Sequence, residues 1–203
     1  MTKQKPIIFS PESVKAIIDG RKTQTRRAVK LINNNVICFK PVLDEDGTFT
    51  CGNQVDCADM GCPKKPRYKT GDVLWVKEAF INYESGAESE VSESIVFYKA
   101  ADEEAWSEFA NIPIHQASWQ NPMFMPRRFA RLFLRVTGVR CERLGDIRLH
   151  LDDAIAEGME HPYALADFIR HWNEINGKKH PWDSNPWVWV YEFERIDMNQ
   201  MSG

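Results

Sequence analysis

Several features are missing from this 203-residue chain, and each absence excludes something. No apolar run approaches the roughly 18 residues that a membrane-crossing helix needs, so no spanning segment is expected. Cysteine is sparse, with five residues, an odd number. The first residues, Met1 to Phe9, carry lysines but neither a long apolar stretch nor a small-residue cleavage site. Together these predict a soluble, cytoplasmic protein with reduced thiols and no disulfide framework. Cys51, Cys57 and Cys62 are separated by five and four residues, which is not the Cys-x-x-Cys of common zinc knuckles. A metal there needs a fourth ligand, such as Cys38 or a histidine; free thiols in a peripheral segment are the competing reading. His115, His150, His161, His171 and His180 lack metalloprotease spacing and receive no catalytic role. There is no internal repeat and no low-complexity tract.

What is present is enough for one substantial core, since 43% of the residues are apolar. A single domain spanning 1–203 is expected, with insertions at about 31–67 and 84–121. The net charge of −3 hides a segregated distribution. Residues 1–30 hold eight Lys/Arg against two acids, and residues 126–148 hold seven Arg against two acids. Residues 84–110 hold eight acids against Lys99. If the two basic segments meet, they create a local positive field suited to phosphate although the whole chain is slightly acidic.

The element pattern is mixed α/β. Pro6 to Phe9 reads as a strand, and Ser10-Pro11-Glu12 as a helix start: a capping hydroxyl, a first-turn proline and an early acid. Val14, Ile17 and Ile18 share a helical face, and Gly20 supplies the terminator, so the helix should end at about Asp19. Thr70-Gly71-Asp72 predicts a turn, and Val73 to Phe80 a core strand. The acidic 84–95 segment predicts a solvated loop, followed by a short strand at Ile95 to Tyr98 and a polar excursion to about Asn121. Leu132 to Val139 predicts a strand, Leu149 to Glu157 a short helix, and Tyr163 to Ile175 a longer one with apolar three-to-four spacing. Trp187 to Phe193 alternates as a closing strand with its aromatics on one face.

The densest polar cluster is Gly20-Arg21-Lys22-Thr23-Gln24-Thr25-Arg26-Arg27, read as a basic loop after the first helix. It offers forked and point-charge donors for phosphate or carboxylate, together with hydroxyls that a nearby lysine can orient. A solvated basic turn is the plainer reading. Its pattern, Gly-x-Lys-x-x-Thr-x-Arg, resembles the signature loop of ASCH-domain proteins, a branch of the PUA-like superfamily. Further resemblance comes in chain order at Tyr68 to Val76, at Leu134-Arg135-Val136-Thr137, at Ala156-Glu157-Gly158-Met159 and at Val188 to Phe193. The set is similar to the small bacterial N4-acetylcytidine amidohydrolases. It is also similar to larger phage and prophage ASCH proteins, through Pro126-Arg127-Arg128-Phe129 and the ending Asn185 to Val190.

The resemblance implies a PUA-like β-barrel of about five or six strands with helices packed at the rim. It implies catalytic roles for Lys22, Thr25 and Glu157: a desolvated Lys22 takes a proton from Thr25 or water, and Glu157 donates one to the leaving amine. Gly20, Arg27, Arg127, Arg128, Trp75 and Glu78 are the candidate substrate-binding residues, Glu78 as an ion-pair partner of Lys22 or a plain surface carboxylate, with backbone N–H groups or Arg27 holding the oxyanion. Phe129, Trp187 and Trp189 join Trp75 as candidate base stackers, against the alternative that strand aromatics are core packing. The implied function is removal of an acyl group from the exocyclic nitrogen of an N4-acetylcytidine-like substrate, with no cofactor required. Two alternatives stay open: a non-catalytic binder of RNA or a modified base, and a ribonuclease using the same basic residues. The partner in all three is a nucleoside or single-stranded RNA.

Overall fold

The computed structural model describes residues 4–30, 41–43, 49–51, 65–84, 94–149, 151–160 and 162–197, with the backbone alone described at 41–43 and 49–51. In chain order the elements are β1 (Gln4–Ile8), α1 (Pro11–Ile18), β2 (Gln24–Ala28), β3 (Pro41–Leu43), β4 (Phe49–Cys51), β5 (Val73–Lys77), β6 (Phe80–Glu84), β7 (Ser94–Tyr98), α2 (Glu103–Ala110), β8 (Phe133–Arg143), α3 (Leu151–Ala156), α4 (Ala164–Asn176) and β9 (Trp187–Ile196). Short 3₁₀ turns join several of them. The class is mixed α/β, as the sequence pattern predicts. No helix among the described residues is long and apolar enough to cross a membrane.

The chain divides into two compact units. The first is built of Gly20–Asp72 and Arg135–Glu194 after the first two residues, and the second of Lys3–Asp19, Val73–Leu134 and the segment from Arg195. In the first unit β8, β9 and β2 lie side by side in that order. β2 runs antiparallel to β9, with Thr25 opposite Tyr191, Arg26 opposite Val190 and Arg27 opposite Trp189. One face of this sheet carries Val188 and Val190 into a core with Leu144, Ile147, Ala154, Phe168, Trp172 and Trp182. Burying each large side chain of this kind stabilises the fold by about 1.5–3 kcal/mol. The apolar stripe of α4 supplies Phe168 and Trp172, and the Trp172 indole N–H is satisfied by the His180 carbonyl at 2.8 Å. β3 and β4 form an antiparallel pair.

The second unit begins with β1, parallel to β5 and in register from Gln4 opposite Val73 to Ile8 opposite Lys77. Pro6 is tolerated because β1 pairs on one side only and its missing N–H can face outward. α1 is capped as its sequence predicts, with Ser10 Oγ accepting from Ser13 N at 3.3 Å. Val73, Phe133 and Ile196 form a small core against which Trp75 and Ala130 pack.

Three expectations need correcting. Residues 24–28 form a strand, not a loop, because alternate side chains find separate partners on its two faces. The predicted strand at 73–80 is two strands, broken at Glu78 and Ala79, where a buried carboxylate turns toward Arg131. The second insertion is structured where described: β6 pairs antiparallel with β7, and α2 follows. Trp106 and Phe109 of α2 stack near Phe97 at 5.1 and 5.3 Å, an apolar pairing masked in the sequence by the surrounding acids. The strands of each unit form open arrangements, and no closed barrel is found among the described residues.

Candidate functional site

Gly20 begins the segment that leads into β2, at φ +75°, a left-handed conformation that glycine adopts without penalty. Lys22 then makes an isolated bridge with Glu157, the residue that follows α3, and β2 begins at Gln24. Strand alternation sends side chains of β2 to opposite faces. Gln24 and Arg26 turn toward α3, where Gln24 Nε2 donates to the Asp153 carbonyl at 2.8 Å. Thr25 and Arg27 take the other face, opposite the rings of Tyr191 and Trp189.

The α3 face holds a buried charge network. Lys22 Nζ donates to the Glu157 carboxylate at 2.9 Å and to the Glu157 carbonyl at 2.7 Å. The other Glu157 oxygen accepts from Arg26 Nη1 at 3.0 Å. Arg26 Nη2 also donates to Glu142 and to Asp153, both at 2.6 Å. Arg140 closes the ring of charges on Glu142 at 2.9 Å, on Asp153 at 3.0 Å and on Glu192. The side chains of Lys22, Arg26 and Glu157 are 4%, 0% and 5% exposed, so water screens little of this. Burial lowers the Lys22 pKa below its usual value; Glu157 opposes the shift, while Arg27 and Arg26 add to it. For Arg26 burial works against the charge too, but Glu157, Glu142 and Asp153 outweigh it and the pKa rises. Lys22 is therefore the cation of this network closest to giving up its proton. Glu157, with both carboxylate oxygens accepting charged donors, has the geometry of a fixed counter-ion more than of a proton donor.

The opposite face of β2 opens on a pocket of about 490 Å³, within the roughly 300–1,000 Å³ of small-molecule sites. Among the described residues five cations line it: Arg27, Lys30, Lys65, Arg67 and Lys179. Tyr68, Trp189 and Tyr191 supply aromatic surface, and Asn176 and His180 supply further polar groups. The Tyr68 and Tyr191 rings meet edge to face at 5.0 Å, and the Arg67 guanidinium lies 5.5 Å over Tyr68. Tyr191 Oη accepts the Arg67 backbone N–H at 3.0 Å, and burial pushes the phenol pKa up to about 12. Burial also raises Tyr68 and lowers Arg27 from their ordinary values.

No family model matches the chain, and no curated protein and no solved structure matches it.

Of the predicted catalytic residues, the structure joins Lys22 to Glu157, while Thr25 lies on the β2 face that carries Arg27. Among the predicted binding residues, Arg27 lines the pocket, and so does Trp189 among the stackers. Glu78, Trp75, Arg127, Arg128 and Phe129 belong to the second unit and Trp187 to the first, and each is placed by its own neighbours. Glu78, 1% exposed, is gripped by Arg131 through two bonds of 2.9 Å; this corrects the expected pairing with Lys22. Arg131 in turn lies 4.1 Å over the Tyr98 ring. Arg127 donates to Gln4 Oε1 at 2.7 Å, and Arg128 lies 4.8 Å over Phe129. Trp75 packs on the Val73–Phe133–Ile196 core with Lys77 Nζ 5.4 Å over its ring. Trp187 lies beneath the Arg143 guanidinium at 4.4 Å. Cys57, Cys62 and Cys38 lie outside the described residues, as does the side chain of Cys51.

The pocket residues that sequence reasoning missed were signalled by two short basic runs, Lys64-Lys65-Pro66-Arg67 and Lys178-Lys179-His180. The first fell in a segment read as a peripheral insertion, yet its last residues line the pocket beside Tyr68.

Proposed function

We propose that this chain recognises a nucleoside or an RNA base, in the manner of the ASCH proteins that its Gly20–Arg27 motif resembles. The observation that carries the reading is the pocket on the Thr25–Arg27 face of β2, where aromatic rings and cations converge. Aromatic surface suits stacking of a base, and the Asn176 amide, with a donor and an acceptor side by side, suits a Watson–Crick edge. The reading carries with it a PUA-like β-barrel, a cytoplasmic setting and a nucleoside or single-stranded RNA partner. Calorimetric titration with cytidine, N4-acetylcytidine, cytidine monophosphate and a short oligocytidylate tests it. Binding of at least one, weakened when Arg27 is replaced by Ala, is expected; absence of binding by all four ends the proposal.

A second reading, amide hydrolysis at the exocyclic nitrogen of an N4-acylated cytidine, is favoured by one observation: the buried Lys22 ammonium, its pKa lowered, bonded to Glu157. A neutral Lys22 amine is a general base, with water as the nucleophile, since Thr25 lies on the opposite face of β2, and with Glu157 holding the charge that develops on the lysine. Turnover should rise with pH as Lys22 deprotonates, below the ordinary lysine value of 10.5, and vanish in Lys22→Ala. Release of acetate from N4-acetylcytidine is the readout. Binding without acetate release at any pH leaves the recognition function alone.

A further inference from the structure

We infer that the ligand of this pocket is phosphorylated: a nucleotide or a nucleotide unit within a strand, and not a free nucleoside. The inference rests on the base-recognition reading above and adds the chemical class of what is recognised.

A base and a ribose are neutral, and a site built for them alone needs rings and hydrogen-bonding groups. This pocket has those in Tyr68, Trp189 and Asn176, but among the described residues its lining also has five cationic side chains and no carboxylate. Among the described residues, three of the cations, Lys30, Lys65 and Lys179, form no ion pair. The contrast with the other face of β2 is direct. There Lys22, Arg26 and Arg140 are matched by Glu142, Asp153, Glu157 and Glu192.

Lysines held near one concavity without counter-charge raise the local potential and favour an anion of two charges over a neutral analogue. They come from three separate stretches of chain, after β2, before Tyr68 and after α4, so their meeting is a product of the fold and not of a local basic run. Arg27, on the floor beside Trp189, is forked and suited to two phosphate oxygens at once. No covalent step is involved.

The experiment compares cytidine, cytidine 5′-monophosphate, cytidine 3′-monophosphate and pentacytidylate against the whole protein at low and at physiological salt. A monophosphate should bind at least about tenfold more tightly than cytidine at low salt, a gap that narrows as salt screens the lysines. Lys30→Ala combined with Lys179→Ala should erase most of that gap, weakening the monophosphates by far more than it weakens cytidine. Both residues are on the surface, and an unchanged melting temperature shows that the fold is kept. If pentacytidylate exceeds the monophosphates and its salt slope is steeper, by about 0.7 per extra phosphate contacted, the source is a strand; equal affinities mean a free nucleotide. Equal binding of cytidine and its monophosphates overturns the inference and leaves base recognition standing. Binding of none overturns both.

Discussion

Replacing Glu157 with Gln keeps the side chain's shape and removes the charge shared by Lys22 Nζ at 2.9 Å and Arg26 Nη1 at 3.0 Å. Each charge-assisted hydrogen bond contributes about 1.5–3 kcal/mol, and removing one partner of a buried pair costs about 3–5 kcal/mol. Arg26 retains Glu142 and Asp153, so the loss falls mainly on Lys22, which keeps the Glu157 carbonyl. A cost of about 3 kcal/mol near neutral pH follows from these terms. The pH dependence has a definite sign. Lys22 is depressed below 10.5 in the folded state, so between its folded value and 10.5 the unfolded chain binds more protons, and stability rises with pH through that window. Glu157 is the contribution that raises the Lys22 pKa, so the Gln variant lowers it further and widens the window downward.

Urea unfolding followed by tryptophan fluorescence, at about pH 7 and about pH 9.5, should therefore show a loss that shrinks at the higher pH. The double variant Lys22→Met with Glu157→Gln should be more stable than the sum of the single losses by about 1 kcal/mol or more. A loss below about 1 kcal/mol at neutral pH, or one that is equal at both values, would refute the reasoning that this pair is buried and coupled.

Tyr191, with its phenol raised from 10.0 to about 12, contributes stability that is complete below pH 10 and is lost as pH rises through 12. Two units correspond to about 3 kcal/mol, so across that range the natural protein should lose about that much more stability than Tyr191→Phe, as read by urea unfolding at successive pH values. Leu144, fully buried against Ile147 and Phe168 in the first unit's core, should cost about 2–5 kcal/mol when replaced by Ala, measured by the same unfolding assay. Gly71, at φ +87° with open space where a Cβ would stand, should cost about 1–2 kcal/mol on substitution by Ala, from backbone strain alone; a neutral result in thermal unfolding would contradict the left-handed turn.

Local signals were legible wherever the deciding partner lies a few residues away. Ser10, Pro11 and Gly20 bracket α1 as their chemistry predicts, and the Thr70-Gly71-Asp72 turn is held by Lys69 N bonding Asp72 Oδ2 at 2.8 Å. The three-to-four spacing of α4 and the alternation of β9 also survive in the fold. The reading of 20–27 as a loop did not, since β2 begins at Gln24. The partners of Arg26 lie 116, 127 and 131 residues away, at Glu142, Asp153 and Glu157, and no local pattern announces them. α2 was missed for a different reason: its acids dominate the composition, while the apolar face that orders it needs Phe97 from β7.

The sequence by itself determined the mixed α/β class, the caps and turns, and the position of the basic segment as the place where charge concentrates. It did so because those features depend on backbone geometry and on neighbours within a turn or two. Tertiary structure alone decided which of the cations are neutralised. Lys22 and Arg26 fall on the β2 face that meets Glu142, Asp153 and Glu157, whereas Arg27 falls on the face that lines the pocket with Lys30, Lys65 and Lys179. Adjacent residues of one strand point in opposite directions, and what each then meets is set by segments distant in the chain, which place carboxylates on one face and a concavity on the other.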